Sequence, residues 1–133
     1  MANTFVISDS ITSVLPEAAL VVCTQTDEIC EINENACKLL GVTADALPRF
    51  ASFLGTQLGE FLVFADEVDT RGQAWTRRID LQRADQGALR CEIRGHKLVS
   101  RPHHILLLII DLDTMDRRAH LAEIAELQRA GLD

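Results

Sequence analysis

Cys23 and Cys30 are the pair of residues whose spacing points most directly to chemistry. If the chain between them turns about Thr26-Asp27, residue 23 stands directly opposite residue 30. Their Cα atoms would then lie roughly 4.5–5.5 Å apart, inside the range a disulfide tolerates. The chemical reading is a redox pair. The plain one is two small core residues, because free cysteine commonly behaves as a buried hydrophobe. Cys37 and Cys91 have no partner in this pattern, and without a Cys-x-x-Cys pair no zinc or iron–sulfur site is expected. His103 and His104 follow Pro102, and His96 follows Gly95. Adjacent histidines on a strand point to opposite faces and cannot readily share a metal, so no metal site is assigned. Arg77, Arg78, Arg83, Arg90, Arg94 and Arg101 gather on the last strands and their turns. They suit an anionic ligand or an acidic partner surface, and a solvated strand face explains them equally well. There is no Gly-rich phosphate loop, no Gly-x-Ser-x-Gly and no His–carboxylate pair at helical metal spacing. No catalytic residue is assigned.

The stretch that must position these groups is 28–42, EICEINENACKLLGV. Ile29, Cys30 and Ile32 make a short strand that runs into a helix without a loop. Asn33 is a good N-cap, and Glu34 sits in the first turn, where the helix dipole favours negative charge. Ala36, Leu39 and Leu40 share one face, Gly41 suits the left-handed position after the helix, and Val42 can pack back on Cys37.

The pattern on either side extends this unit. Residues 18–24 read as the first strand and 25–28 as a turn. Thr43 is expected to cap a short helix through Leu47, and Phe50, Phe53 and Leu54 to form a small apolar helix or turn ending at Gly55. A longer helix is predicted over 56–70, capped by Thr56, with Leu58, Phe61, Leu62, Ala65 and Val68 as its apolar stripe and Gly72 as its stop. Three strands follow. In the first, Trp75, Arg77, Ile79 and Leu81 alternate with polar residues. In the second, Leu89, Cys91 and Ile93 alternate, and Gly95 is expected to be a bulge because Leu98 falls out of phase. The third, Ile105 to Ile110, has no polar side, so both its faces should be covered. Two strands, several helices and three strands make an α+β domain on one antiparallel sheet.

Composition narrows the class. At 133 residues the chain suffices for one core with an extension. The formal charge of −7 argues against a nucleic-acid binder. It is unevenly spread: residues 1–70 carry two basic and eleven acidic side chains, residues 71–133 eleven and nine. The first residues lack a basic n-region and carry Asp9 early, and the run at 105–110 is too short to span a bilayer. A cytoplasmic protein with reduced thiols and no membrane contact is therefore expected.

The strand, Asn33, and the helix ending in Leu39-Leu40-Gly41 resemble the opening of a PAS (Per-Arnt-Sim) sensory domain. Leu15-Pro16 before the first strand, Gly72 before the last three, and Asp111-Leu112-Asp113 at the close extend the likeness over most of the chain. Gln25 and Glu28 depart from it, standing where members often carry Asp and Gly. The resemblance implies a five-stranded antiparallel sheet with helices packed on one face. It implies an N-terminal helical cap at 1–15, the sensory domain at 16–113 and a signalling helix at 114–133. A ligand pocket would be walled by Val22, Leu40, Phe53, Leu58, Phe61, Leu62, Ile79, Cys91 and Leu107. Haem-binding members use a His on the long helix before the third strand, and 56–70 has none, so His-ligated haem is not expected. Light-sensing members use a Cys on a later helix than Cys37, which is therefore no photochemical site. Non-covalent FAD is allowed, and no cofactor at all is the leading expectation.

By the same resemblance the chain is a sensory and dimerisation module of a bacterial-type signalling protein. It would pair with a second copy through its N-terminal segment and C-terminal helix. State would pass through Asp111, Asp113, Leu121, Ile124 and Leu127 to an output domain. The alternative is a small stand-alone α+β enzyme of isomerase type with an apolar pocket.

Overall fold

A computed structural model describes residues 12–76, 78–84, 86–129 and 131. The expected N-terminal cap at 1–15 falls mostly outside them; Thr12–Val14 form one 3-10 turn ahead of Pro16. The strands are β1 (Ala18–Cys23), β2 (Ile29–Ile32), β3 (Gln73–Trp75), β4 (Ile79–Arg83), β5 (Gly87–Lys97) and β6 (His104–Asp111). The helices are α1 (Glu34–Leu40), α2 (Leu58–Arg71) and α3 (Leu112–Arg129). All neighbours in the sheet are antiparallel, in the order β2-β1-β6-β5-β3, with β4 beside β3 along β5. The α+β expectation holds.

The predicted five strands become six because the third is broken. Trp75 stands opposite Arg94, yet Ile79 stands opposite Cys91, so the β3–β4 side holds one residue more than β5 between these pairs. That extra residue reverses the alternation. Trp75 lies on the outer face while Ile79 and Leu81 face the core, which the period-2 reading of 75–81 did not foresee.

Gly95 is not a bulge. β5 pairs with β6 in unbroken register from Cys91–Asp111 to Lys97–Ile105. A Cβ on Gly95 would lie 2.7 Å from Val68 Cγ2 and 2.8 Å from Phe64 Cζ, so its missing side chain is what lets α2 lie on the sheet. Leu98 belongs instead to a second apolar cluster on the outer face, with Ala19, Val21 and Leu106. Central β6 is accordingly apolar on both sides, as its sequence required.

The inner face carries the main core, built from Leu20, Val22, Ile93, Ile105 and Leu107 of the sheet against Leu40, Phe50, Leu54, Phe61, Phe64 and Val68. Helix α1 begins and ends where its sequence says. Asn33 Oδ1 accepts from Ala36 N at 2.9 Å, and Gly41 takes a left-handed φ of 72° with its N–H on Cys37 O. The helix expected at 43–47 is only a turn, closed by Ala46 N on Thr43 O at 3.1 Å. Thr56 caps nothing; a 3-10 turn, Gly55–Gln57, leads into α2 instead.

Candidate functional site

The space between the sheet and α1–α2 is where a sensory ligand was expected. Seven of the nine proposed wall residues meet there: Val22, Leu40, Phe53, Phe61, Ile79, Cys91 and Leu107 belong to one buried cluster. Leu58 and Leu62 do not. They are 39% and 58% exposed, because α2 turns Phe61, Phe64 and Val68 inward and so puts 58 and 62 on its solvent side. Phe64, three residues after Phe61, carried the helical signal that the sequence reading assigned to Leu62.

This interior is filled by its own side chains. Phe50 packs on Phe53 and Phe61 at centroid distances of 5.9 and 4.9 Å, and Phe61 on Phe64 at 5.7 Å. Leu54 and Leu81 are fully buried beside them. The arrangement does not fit a flavin, whose ring would need the volume these rings occupy. The inward-facing thiol, Cys91, donates to Ile79 O at 3.4 Å, and burial pushes its pKa up to about 12. It is an inert core residue in this setting. Among the described residues no group of His, Cys, Asp and Glu is placed to hold a metal ion.

Two side chains organise the approach to this core, and the sequence showed only part of what they do. Asn33 is more than a cap. Its Oδ1 also accepts from Ala19 N at 3.1 Å, and its Nδ2 donates to Thr12 O at 3.0 Å and Glu17 O at 2.7 Å. One buried amide thereby joins the N-terminal turn, β1 and α1. Asp27, in a left-handed conformation with φ 63°, accepts from Ala51 N through Oδ2 at 2.7 Å and from Phe50 N through its carbonyl at 3.1 Å. It thereby pins the 3-10 turn Phe50–Phe53 beside the first hairpin. An aspartate in a polar turn, a residue type that tolerates αL, is the one signal in the sequence that could have suggested this.

The thiol register differs from expectation. Val22 stands opposite Ile29 and Val21 opposite Glu31, so Cys30 is the extra residue of a bulge rather than the partner of Cys23. The two nevertheless converge on one carbonyl: Cys23 N donates to Glu28 O at 2.9 Å, and Cys30 Sγ lies 3.7 Å from the same oxygen. All four cysteines are free. A hydrogen bond from the Thr26 side chain holds the Cys23 thiol below its ordinary pKa, whereas burial raises that of Cys30. Arg101 pairs with Glu31 next to them, tying β2 to the β5–β6 turn.

At the far end of β6 the strand passes directly into α3. Asp111 caps the helix. Its Oδ1 accepts from Asp113 N at 3.0 Å and its Oδ2 from Thr114 Oγ1 at 2.8 Å. Asp113 is free to pair with Arg90 of β5 at 3.1 Å. A cleft of about 480 Å³ opens beside this junction, between Glu17, Asn35 and Leu39 on one side and Thr114, Met115 and Arg118 on the other. Beyond it Leu121 and Leu127 are 59% and 46% exposed, and Ile124 is also exposed. The expected relay residues thus divide into a capped junction and an uncovered apolar row.

No protein-family model and no curated protein matches the chain. Solved structures do. An RNA-binding Light-Oxygen-Voltage receptor is similar with a TM-score of 0.63 at 19% identity over 86% of this chain. The chain spans only 33% of that receptor and 62% of a Rhodobacter sphaeroides LOV protein. A domain of a sensory box sensor histidine kinase/response regulator from Geobacter sulfurreducens is similar at TM-score 0.59 and 14% identity, over 76% of this chain and 88% of that one. The PAS domain of a LuxR-family transcriptional regulator from Burkholderia thailandensis, solved with ethanol, gives 0.60 and 14% over 77% and 94%. The fold is of the PAS/LOV type, as the resemblance of residues 29–41 implied.

Proposed function

We propose that this chain is a sensory signalling module, not an enzyme, that works as a cytoplasmic homodimer and passes its state through α3 to an output domain. The observation that supports this best is the join at Asp111. Central strand β6, buried on its inner face and half-buried on the outer, ends at the residue that caps α3, so a displacement of the sheet moves the start of the helix with it. The exposed Leu121, Ile124 and Leu127 then offer a seam for the same helix of a second copy. The seam is short and interrupted, which suits an element balanced between two arrangements. Among the described residues no helix is long and apolar enough to cross a membrane.

Helical geometry supplies the test. With an output domain attached, one residue inserted after position 116 rotates everything downstream by about 100°, whereas seven nearly restore the facing side. The single insertion should lock or abolish regulated output and the seven-residue insertion should preserve it. Unchanged output from both would reduce α3 to a passive tether.

A candidate signal is the redox state of Cys23 and Cys30, which meet at Glu28 O although the bulge removes their direct pairing. Cys23 and Cys30 form one intramolecular bridge under mild peroxide, two thiols and one peroxide giving a disulfide and two waters. Mass mapping that finds any other pair, or none, removes this reading and leaves the relay untouched.

A further inference from the structure

One edge of the sheet is made by β3 and β4 lying end to end along β5, and its two halves are finished differently. Along β4 the backbone of Asp80 is taken by a side chain. Gln57 Oε1 accepts from Asp80 N at 3.1 Å, and Gln57 Nε2 donates to Asp80 O. A single amide does there what a neighbouring strand would do. Along β3 nothing comparable exists among the described residues. Lys97 N bonds Gly72 O and Thr76 N bonds Ile93 O, each at 2.9 Å, so the even-numbered residues face β5. The N–H and C=O of Gln73 and Trp75 therefore point outward, about 7 Å apart along the strand.

This open half is bordered by a cleft of about 560 Å³ whose walls include Arg71, Trp75, Arg94 and His96. Trp75, the only tryptophan, is 56% exposed, with the Arg94 guanidinium 4.8 Å from its ring centroid. Arg94 has no carboxylate partner among the described residues, and Arg71 has only Glu67, at 2.8 Å on its own helix. Arg94 and His96 lie on the outer face of β5, opposite Trp75 and Gln73, while Arg71 closes α2.

We propose that the β3 edge docks an extended acidic peptide segment as an added strand. The backbone groups select an extended chain, since a small anion could not span two N–H groups about 7 Å apart and satisfy the two carbonyls as well. The Arg94 guanidinium, which has no carboxylate partner among the described residues, selects its charge, with Arg71 beside it paired to Glu67. Side chains of an added strand alternate between faces, so one set meets Arg94 and His96 and the other reaches toward Arg71. Trp75 supplies an apolar platform between them.

The test is a titration of isotope-labelled protein with an end-blocked hexapeptide of alternating glutamate and valine. Amide resonances of Gln73 and Trp75 should shift together and saturate, with a parallel change in tryptophan fluorescence. Arg94→Gln should weaken binding about tenfold, the size of one charge-assisted hydrogen bond. Replacing the glutamates by lysine, or methylating alternate peptide nitrogens, should abolish it. Absence of shifts at Gln73 and Trp75 overturns the proposal. So does equal binding of the lysine peptide, and equal binding of the methylated peptide would leave charge attraction without strand addition.

Discussion

Helices α1 and α3 begin in the same way and end in different circumstances. Each follows a strand without a loop, and each is started by a short polar side chain, Asn33 or Asp111, that accepts the first orphan N–H groups. Asn33 is buried and also bonds Ala19, Thr12 and Glu17, while α1 lays Ala36 and Leu40 into the core. The Asp111 side chain bonds only within its own turn among the contacts described, and α3 leaves Met115, Leu121, Ile124 and Leu127 in solvent. The difference teaches that a cap decides where a helix starts, and burial decides whether the helix belongs to the body of the domain.

The strongest way to break the comparison is to attack what α1 and α2 bury. Leu40→Asp and Phe61→Asp would each leave an unpaired charge in the core, and neither protein should be recovered soluble and folded. A native-like melting curve for either would show that its helix is not where the structure has it. Next, Asn33→Ala should cost about 3 kcal/mol in chemical denaturation, because it strands Ala19 N–H and Glu17 O as well as the cap. Asp111→Ala should cost only about 1 kcal/mol, an ordinary cap loss, with the change confined to α3 in amide exchange. Equal losses from the two would erase the distinction drawn here.

Gly95→Ala lies between them. The added methyl must push Phe64 and Val68 away from the sheet, at about 1–3 kcal/mol. A bulge at Gly95 would have tolerated it. The smallest effects are chemical ones. With a limiting alkylating reagent at pH 8, Cys23 should react first, since its lowered pKa gives the larger thiolate fraction. Cys91, its pKa near 12 and its side chain fully buried, should react only on unfolding. Early labelling of Cys91 would mean that the packed interior opens readily.

Local chemistry alone determined much of this protein. The bounds of β2 and α1 were legible because a cap, a short apolar stripe and a left-handed glycine act within a few residues of one another. That β6 is apolar on both sides was legible in a run with no polar side, although only its inner face is fully covered. What needed the tertiary structure depends on residues far apart in the chain. The bulge at Cys30 and the extra residue between Trp75 and Ile79 shift register by one, and register is settled by which faces the neighbouring strands bury, not by either strand alone. Leu62 and Phe64 are both apolar, and although Phe64 keeps helical step with Phe61 and Val68, its contact with the sheet at Gly95 is what shows that step to be the buried one. The closing of the pocket by Phe50, Phe61 and Phe64 belongs to the same class. Three rings from two segments can fill one space only once Asp27 and the sheet have brought those segments together.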